Sequence, residues 1–283
     1  MGGLFEGLEK LGFKKIKEEE IFAMNNQRNK EEEAKQAKIA EEKKEEEYLF
    51  EKRYSCPICE NKFTEHTVRA GKARRIGSDL DLRPKYVGVD ATKYNIVFCK
   101  KCGYAAPISS FPHISSLQRK LLREEIQKNY TGVEEAGNTL SYEEAVIRFK
   151  LALYCSVVKH GRNSEKAYLC LQLAWMYRGM AEQLEASGTG KKEELEKLRA
   201  EEKTYIEKAH AGFEMAVANE LFPICGMDEM TFNYLLAELS RRIGKIDECK
   251  KLLGMILISK TASTVVKDRA RRLKEIVMEG TSE

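Results

Sequence analysis

The chain has 283 residues, a length that suits two domains. A third of them are charged but the net charge is only +4, so the molecule as a whole is not a strongly basic nucleic-acid binder, and any such contact needs a local patch. No run of about 20 apolar residues occurs, which excludes an integral membrane span, while the apolar content is enough for a buried core.

Residues 1–13 carry a short apolar patch. Leu4, Phe5, Leu8 and Leu11 share one face if the segment is helical, which predicts a helix docked on the rest of the chain or on a partner. Met1 to Lys17 does not read as a secretory signal, because Glu6, Glu9, Lys10 and Lys14 interrupt its apolar residues. The expected location is therefore cytoplasmic, where eight cysteines do not form a disulfide framework. Residues 14–53 alternate Glu-rich and Lys-rich blocks, such as Glu31-Glu32-Glu33 and Lys43-Lys44, with high helix propensity and no apolar heptad. Together, 1–53 reads as an apolar patch followed by a solvated helical spacer.

Residues 54–114 carry two cysteine pairs, Cys56-Pro57-Ile58-Cys59 and Cys99-Lys100-Lys101-Cys102-Gly103. Two thiolates three positions apart reach one ion only if the chain turns tightly between them. Pro57 fixes φ for such a turn, and Gly103 can take the left-handed conformation that follows one. Four sulfurs make a closed tetrahedral shell, so Cys56, Cys59, Cys99 and Cys102 are the candidate ligands of a structural zinc. A redox dithiol and an iron–sulfur centre also use paired cysteines, but the spacing resembles a zinc ribbon. Lys62–Arg69 and Tyr94–Phe98 are β-prone, and the second places Tyr94, Ile96 and Phe98 on one face before it enters Cys99.

Thirty-nine residues separate Cys59 from Cys99, against about 15–20 in a simple ribbon. This insert holds Arg69, Lys72, Arg74 and Arg75 with no acid among them, then Arg83 and Lys85 around Pro84. These six are candidate phosphate or nucleic-acid contacts. The plainer reading is a solvated loop whose arginines pair with the insert's own Asp79, Asp81 and Asp90 or with the acidic helix before it. His66 lies in the first strand, where it could substitute for a ligand but reads more simply as a surface or packed histidine; His113 reads as a loop residue, and His160 and His210 show no partner at catalytic spacing.

Residues 115–283 read as helices. Ser115-x-x-Gln118 and Ser141-x-x-Glu144 are capping boxes, and breaks fall at Gly188-Thr189-Gly190 and Phe222-Pro223. One template recurs: Ala145/Phe149/Ala152, Ala209/Phe213/Ala216 and Cys249/Leu253/Ile256 are all spaced 4 then 3. A second precedes two of them, Cys170/Leu173/Ala174/Tyr177 and Asn233/Leu236/Ala237/Ser240. Both are similar to the two helices of the tetratricopeptide repeat, with an insertion near 186–202 and without the usual proline. Stacked pairs of this kind create surfaces for a protein partner. Cys155, Cys170, Cys225 and Cys249 read as small buried hydrophobes. No nucleotide-binding, zinc-protease or serine-hydrolase motif occurs, so nothing argues for an enzyme.

The stretch Tyr54–Ala106 resembles a bacterial family of uncharacterised proteins catalogued as domain of unknown function 2225. Cys56-Pro57-x-Cys59, Arg83-Pro84-x-Tyr86 and Tyr94-Asn95-Ile96-Val97-x-Cys99-x-x-Cys102-Gly103-Tyr104-Ala105 carry the resemblance. It implies a metal-binding head on a helical-repeat body and no established activity. The expected fold is mainly α, with a small β zinc-ribbon-like module and a C-terminal tetratricopeptide-like antiparallel helical array. The expected function is a non-enzymatic zinc-binding scaffold that meets a protein partner through its repeats. Nucleic-acid binding through the insert is the alternative, and a thiol sensor that releases zinc on oxidation is the third reading.

Overall fold

Leu49–Ser55 (β1) and Lys62–Val68 (β2) pair antiparallel with Tyr54 opposite Phe63 and Ser55 opposite Lys62, so the first cysteine pair occupies the hairpin turn. The computed structural model describes residues 44–132, 137–188 and 190–279. The apolar patch of residues 1–13 and the spacer up to residue 43 lie outside the described residues. The end of the expected spacer differs from the expectation: Leu49–Arg53 is strand, because its backbone pairs with β2 along its whole length. The hairpins and the helical array belong to one compact unit that begins at Tyr48.

Two further hairpins complete the strand region. Arg75–Ser78 (β3) pairs with Pro84–Tyr86 (β4), and Ile96–Phe98 (β5) with Ala105–Pro107 (β6), whose turn holds the second cysteine pair. Both faces of β5–β6 are buried. Ile96, Phe98 and Ala105 face a core of helical residues that includes Phe149, Leu173 and Phe213, whereas Val97 and Ala106 face the cysteines. This is the two-residue period of a strand used on two sides at once. Tyr94 departs from its expected face. It ends a 3-10 turn, Ala91–Tyr94, and packs with Leu49, Val89 and Leu140.

The remainder is helical: Ser116–Leu122 (α1, continued by a π turn to Gln127), Tyr142–Val158 (α2), Asn163–Ser187 (α3), Lys192–Asn219 (α4), Glu229–Arg242 (α5), Ile246–Ile258 (α6) and Thr264–Glu279 (α7). Both expected capping boxes form, with the Ser115 and Ser141 hydroxyls accepting from the Gln118 and Glu144 amides and those side chains accepting from the cap amides in return. Gly188 ends α3 in the left-handed region at φ 64°, and Gly244 turns α5 into α6 at φ 83°. The expected insertion is absorbed as extra helical turns on α3 and α4, where Arg199 Nη2 pairs with Glu185 Oε1 at 3.0 Å across the two helices.

Every template residue is buried, on α2, on the α3–α4 pair and on the α5–α6 pair. They divide between two cores. Leu173, Ala174 and Tyr177 of α3, Ala209, Phe213 and Ala216 of α4, and Leu236 of α5 lie in the main helical core. Ala237 of α5 and Leu253 and Ile256 of α6 lie in the core that α7 closes with Val266, Ala270, Leu273 and Val277. Adjacent residues Leu236 and Ala237 thus place α5 between the two. Ala209 and Ala216 flank Phe213, which meets Phe232 edge-on at 5.2 Å. Small residues let the backbones approach and the aromatic ring fills the space beside them. Tyr177 differs from its neighbours in the template, since its ring also stacks on Tyr205 of α4 at 5.6 Å. Among the described residues no helix is long and apolar enough to cross a membrane.

Candidate metal centre

The two cysteine turns are built alike. In the first, the Glu60 amide donates to Cys56 O at 3.0 Å and the Cys56 amide to Asn61 O at 2.9 Å. In the second, the Gly103 amide donates to Cys99 O at 2.9 Å and the Cys99 amide to Tyr104 O at 2.8 Å. Each turn ends on a left-handed residue, Glu60 at φ 62° and Gly103 at φ 79°. Gly103 has a second constraint: a Cβ there would lie 2.7 Å from the Tyr130 ring. Such turns aim backbone N–H groups at sulfur, and the Ile58 amide lies 3.4 Å from Cys56 Sγ.

The hairpins bring all four sulfurs within 4.8 Å of one another. Cys56 Sγ and Cys102 Sγ are 3.6 Å apart, as are Cys59 Sγ and Cys99 Sγ. A disulfide needs about 2.05 Å. Zn–S bonds of about 2.3 Å in a tetrahedron set an S–S edge of about 3.8 Å. The donor set therefore fits a closed four-thiolate shell around one ion, and all four cysteines are free thiols, with only Cys59 partly exposed.

Electrostatics point the same way. The Cys102 and Cys56 thiols beside it pull Cys99 well below the usual thiol range, as donors to a thiolate. The Cys102 thiol is pushed up by its contacts with Cys56 and Cys99 and by burial. Four adjacent sulfurs cannot all be anionic by themselves, and a divalent cation is what permits it. Basic residues lie in and beside both turns. Lys100 and Lys101 lie inside the second turn, and Arg123 Nε donates to Ile58 O at 2.8 Å in the first. Leu122, Ile126 and Cys155 from α1, its π turn and α2 pack directly on the cysteine cluster with Tyr104 and Phe111. The Cys155 thiol lies 3.9 Å from Gly103 O, and burial pushes it up to about 11.

The insert between the turns places its basic residues in two environments. Arg69, Lys72, Arg74, Arg75 and Lys85 are exposed. Arg69 Nε donates to Leu49 O at 2.7 Å and Lys85 Nζ pairs with Asp79 at 2.8 Å. Arg83 is a correction to the expected phosphate contacts. Its side chain is 6% exposed and lies 3.0 Å from Glu182, with Asp79 and Asp90 at 3.8 Å, so its charge is engaged inside the fold.

The repeat-spacing residues stand apart from both the cysteines and the insert's exposed bases. Leu173, Ala174, Tyr177, Leu236, Ala237, Leu253 and Ile256 are turned inward, so they hold the helices together and offer no surface to a partner. A partner of the array would have to meet other side chains. The exposed apolar ones on its last two helices are Met255, Ile258, Val265, Ile276 and Met278.

The largest feature that the sequence does not reveal is the seat of the β3–β4 tip. Asp81 is 1% exposed and accepts from Trp175 Nε1 at 3.1 Å, from Arg178 Nη1 at 3.0 Å and from Arg242 Nη1 at 3.4 Å. Arg178 also meets Asp79 at 3.1 Å and Glu202 at 2.6 Å, and Arg242 meets Glu202 at 2.7 Å. Burial alone would raise the Asp81 carboxyl, but Arg178, Arg242 and the Trp175 N–H hold it below the usual carboxylate range. The one signal in the sequence is the run Asp79-Leu80-Asp81-Leu82-Arg83, with leucines too apolar for a solvated loop.

His210 meets Glu214 four positions on along its helix and also Glu248, a partner the sequence does not reveal. Nδ1 lies 3.2 Å from Glu214 and Nε2 3.3 Å from Glu248, and the three side chains form a second group able to hold a cation among the described residues. Lys245 Nζ already lies 3.3 Å from both carboxylates and supplies that cation. Cys225 is a further difference. The residue lies exposed on the Ile224–Met227 turn at φ 51°, with its thiol donating to Ser164 O at 3.4 Å.

A family profile described as "uncharacterized protein conserved in bacteria (DUF2225)" matches residues 49–277. That range holds the three hairpins and nearly all of the helical array, and the chain belongs to this family. No curated protein and no solved structure matches it.

Proposed function

For a member of that family we propose a non-enzymatic, cytoplasmic zinc-binding scaffold, in which a structural zinc on Cys56, Cys59, Cys99 and Cys102 ties the hairpins to a helical array that binds another protein. The observation that carries the reading is the closure of two hairpin turns on one point, with all four sulfurs within 4.8 Å of one another. A shell closed by four protein ligands leaves no position for water or substrate, which supports a clamp over a catalyst. The paired helices α3–α4 and α5–α6 carry the repeat spacing, and α6 and α7 present Met255, Ile258, Val265 and Met278 exposed. Cross-linking in the native cell tests it. The expected result is a stoichiometric protein partner joined to α2–α7 of a zinc-loaded chain. Cross-links confined to the strand hairpins would contradict it.

A second reading is favoured by the exposure of Arg69, Lys72, Arg74 and Arg75 between the end of β2 and the start of β3. Contact with RNA or DNA phosphates there would weaken steeply with salt and vanish on charge reversal at Arg74 and Arg75. Binding that ignores salt and both substitutions ends this reading.

A further inference from the structure

The tip of the β3–β4 hairpin is bound as a ligand would be. The first helices of successive pairs, α3 and α5, together with α7, all reach it. Trp175 and Arg178 come from α3 and Arg242 from α5, while Arg269 of α7 donates to Ser78 Oγ at 3.2 Å. Leu80 packs on the core of α5–α7, and Leu82 bridges that core and the main helical one. Leu82 is held at φ 67°, a left-handed conformation that a leucine adopts only where its surroundings impose it. Without the tip, this face would hold Arg178 and Arg242 on the carboxylate of Glu202, with Arg269 released from Ser78 and Glu182 released from Arg83, so guanidinium groups outnumber carboxylates beside apolar side chains. Its chemistry is complementary to an acidic segment.

We propose that the face formed by α3, α5 and α7 is a receptor for an acidic, leucine-bearing turn, that Ser78–Arg83 is its resident intramolecular ligand, and that a protein partner docks by presenting the same pattern, two carboxylates two positions apart with leucines between and after them. The inference rests on the reading of the array as a protein-binding body and names the chemistry of its partner. Arg178 reads the carboxylates by forking onto Asp81 and reaching Asp79, the Trp175 N–H selects an acceptor at the second carboxylate, and Arg269 reads the hydroxyl before the first. A resident ligand on the same chain acts at high effective concentration, so an external segment competes only when it binds more tightly or when the insert is loosened.

A labelled peptide of residues 77–85, added to the full chain, tests this, with peptide anisotropy and the emission of Trp175, the one tryptophan of the chain, as readouts. The peptide should bind a chain carrying Leu80→Ala and Asp81→Ala. It should bind the unchanged chain at least about tenfold more weakly, and adding Arg178→Glu should abolish binding. No binding to the emptied chain, equal binding to both chains, or binding that survives Arg178→Glu overturns the proposal. A chain that unfolds when the tip is changed is handled by hydrogen exchange on the unchanged protein. Millimolar peptide should speed exchange of the 78–83 amides, and unchanged protection makes the tip a fixed plug and overturns the proposal. A partner that binds the array with Arg178→Glu in place would overturn this inference while leaving the scaffold reading intact.

Discussion

The ends of the insert and its tip are held by opposite chemistries. At the ends, four soft sulfurs converge and need one divalent cation to become anionic together. At the tip, buried carboxylates meet guanidinium groups and an indole N–H, and the charges are balanced within the protein. Each part therefore draws its stability from a different source. On the proposed metal reading the cysteine end depends on an ion the chain must acquire, whereas the tip's partners all come from the chain itself. The two also differ in neighbours: the cysteine cluster packs on α1 and α2, the tip on α3, α5 and α7.

Loss of the cation gives the largest expected effect. Cys99→Ser should abolish metal binding and cost more than about 4 kcal/mol, because small zinc modules draw about 10–16 kcal/mol from the metal and here a shared core replaces only part of it. Hydrogen exchange should locate the damage in β1–β2, β5–β6, α1 and the facing side of α2, with α5–α7 still protected. Uniform loss of protection would show that the two regions do not differ as described.

Breaking the tip comes next. Arg178→Ala leaves Asp81 buried with its main partner gone, an expected loss of about 3–5 kcal/mol by urea unfolding. The same network sets a pH dependence. Asp81 and Glu202 both lie below the usual carboxylate range in the fold; burial opposes this, but Arg178 and Arg242 prevail. Their unfolded values are near 4, so this stabilisation is complete above about pH 4 and is lost as pH falls through the folded values. Acid unfolding that is unchanged in Arg178→Ala would sink the assignment.

These two regions are unequally legible in the sequence. The sulfur site can be read because its ligands come in local pairs whose spacing encodes the turn, and the second pair is finished by Gly103. The helical array can be read because a small–large–small spacing on each helix states how closely it packs. That spacing does not say which core each helix enters, and Leu236 and Ala237, adjacent in the chain, serve two. The seat of Asp81 cannot be read. Its partners Trp175, Arg178 and Arg242 are far along the chain, and the leucines beside Asp81 hint at burial without saying against what. Arg83 looks like a solvent-facing base for the same reason, since Glu182 reaches it from α3. Tyr94 reads as a strand residue because alternation alone cannot register the 3-10 turn capped by Asp90.

Two smaller effects separate the regions further. Ala237→Leu places a larger side chain where α5 packs on α6 and α7, with an expected cost of about 1–3 kcal/mol and no change in metal content. Arg74→Glu lies on the exposed stretch between β2 and β3 and should change stability by no more than about 0.5 kcal/mol, so any effect on a bound polyanion reads contact alone.

Elemental analysis of the full chain, purified under reducing conditions, tests the metal clamp most directly. The expected result is one zinc per chain in a colourless protein, absent from Cys99→Ser, with the β1–β2 and β5–β6 amides losing protection together. A coloured, iron-containing chain would contradict the clamp, as would a metal-free chain whose hairpin amides are protected as fully as those of the loaded one.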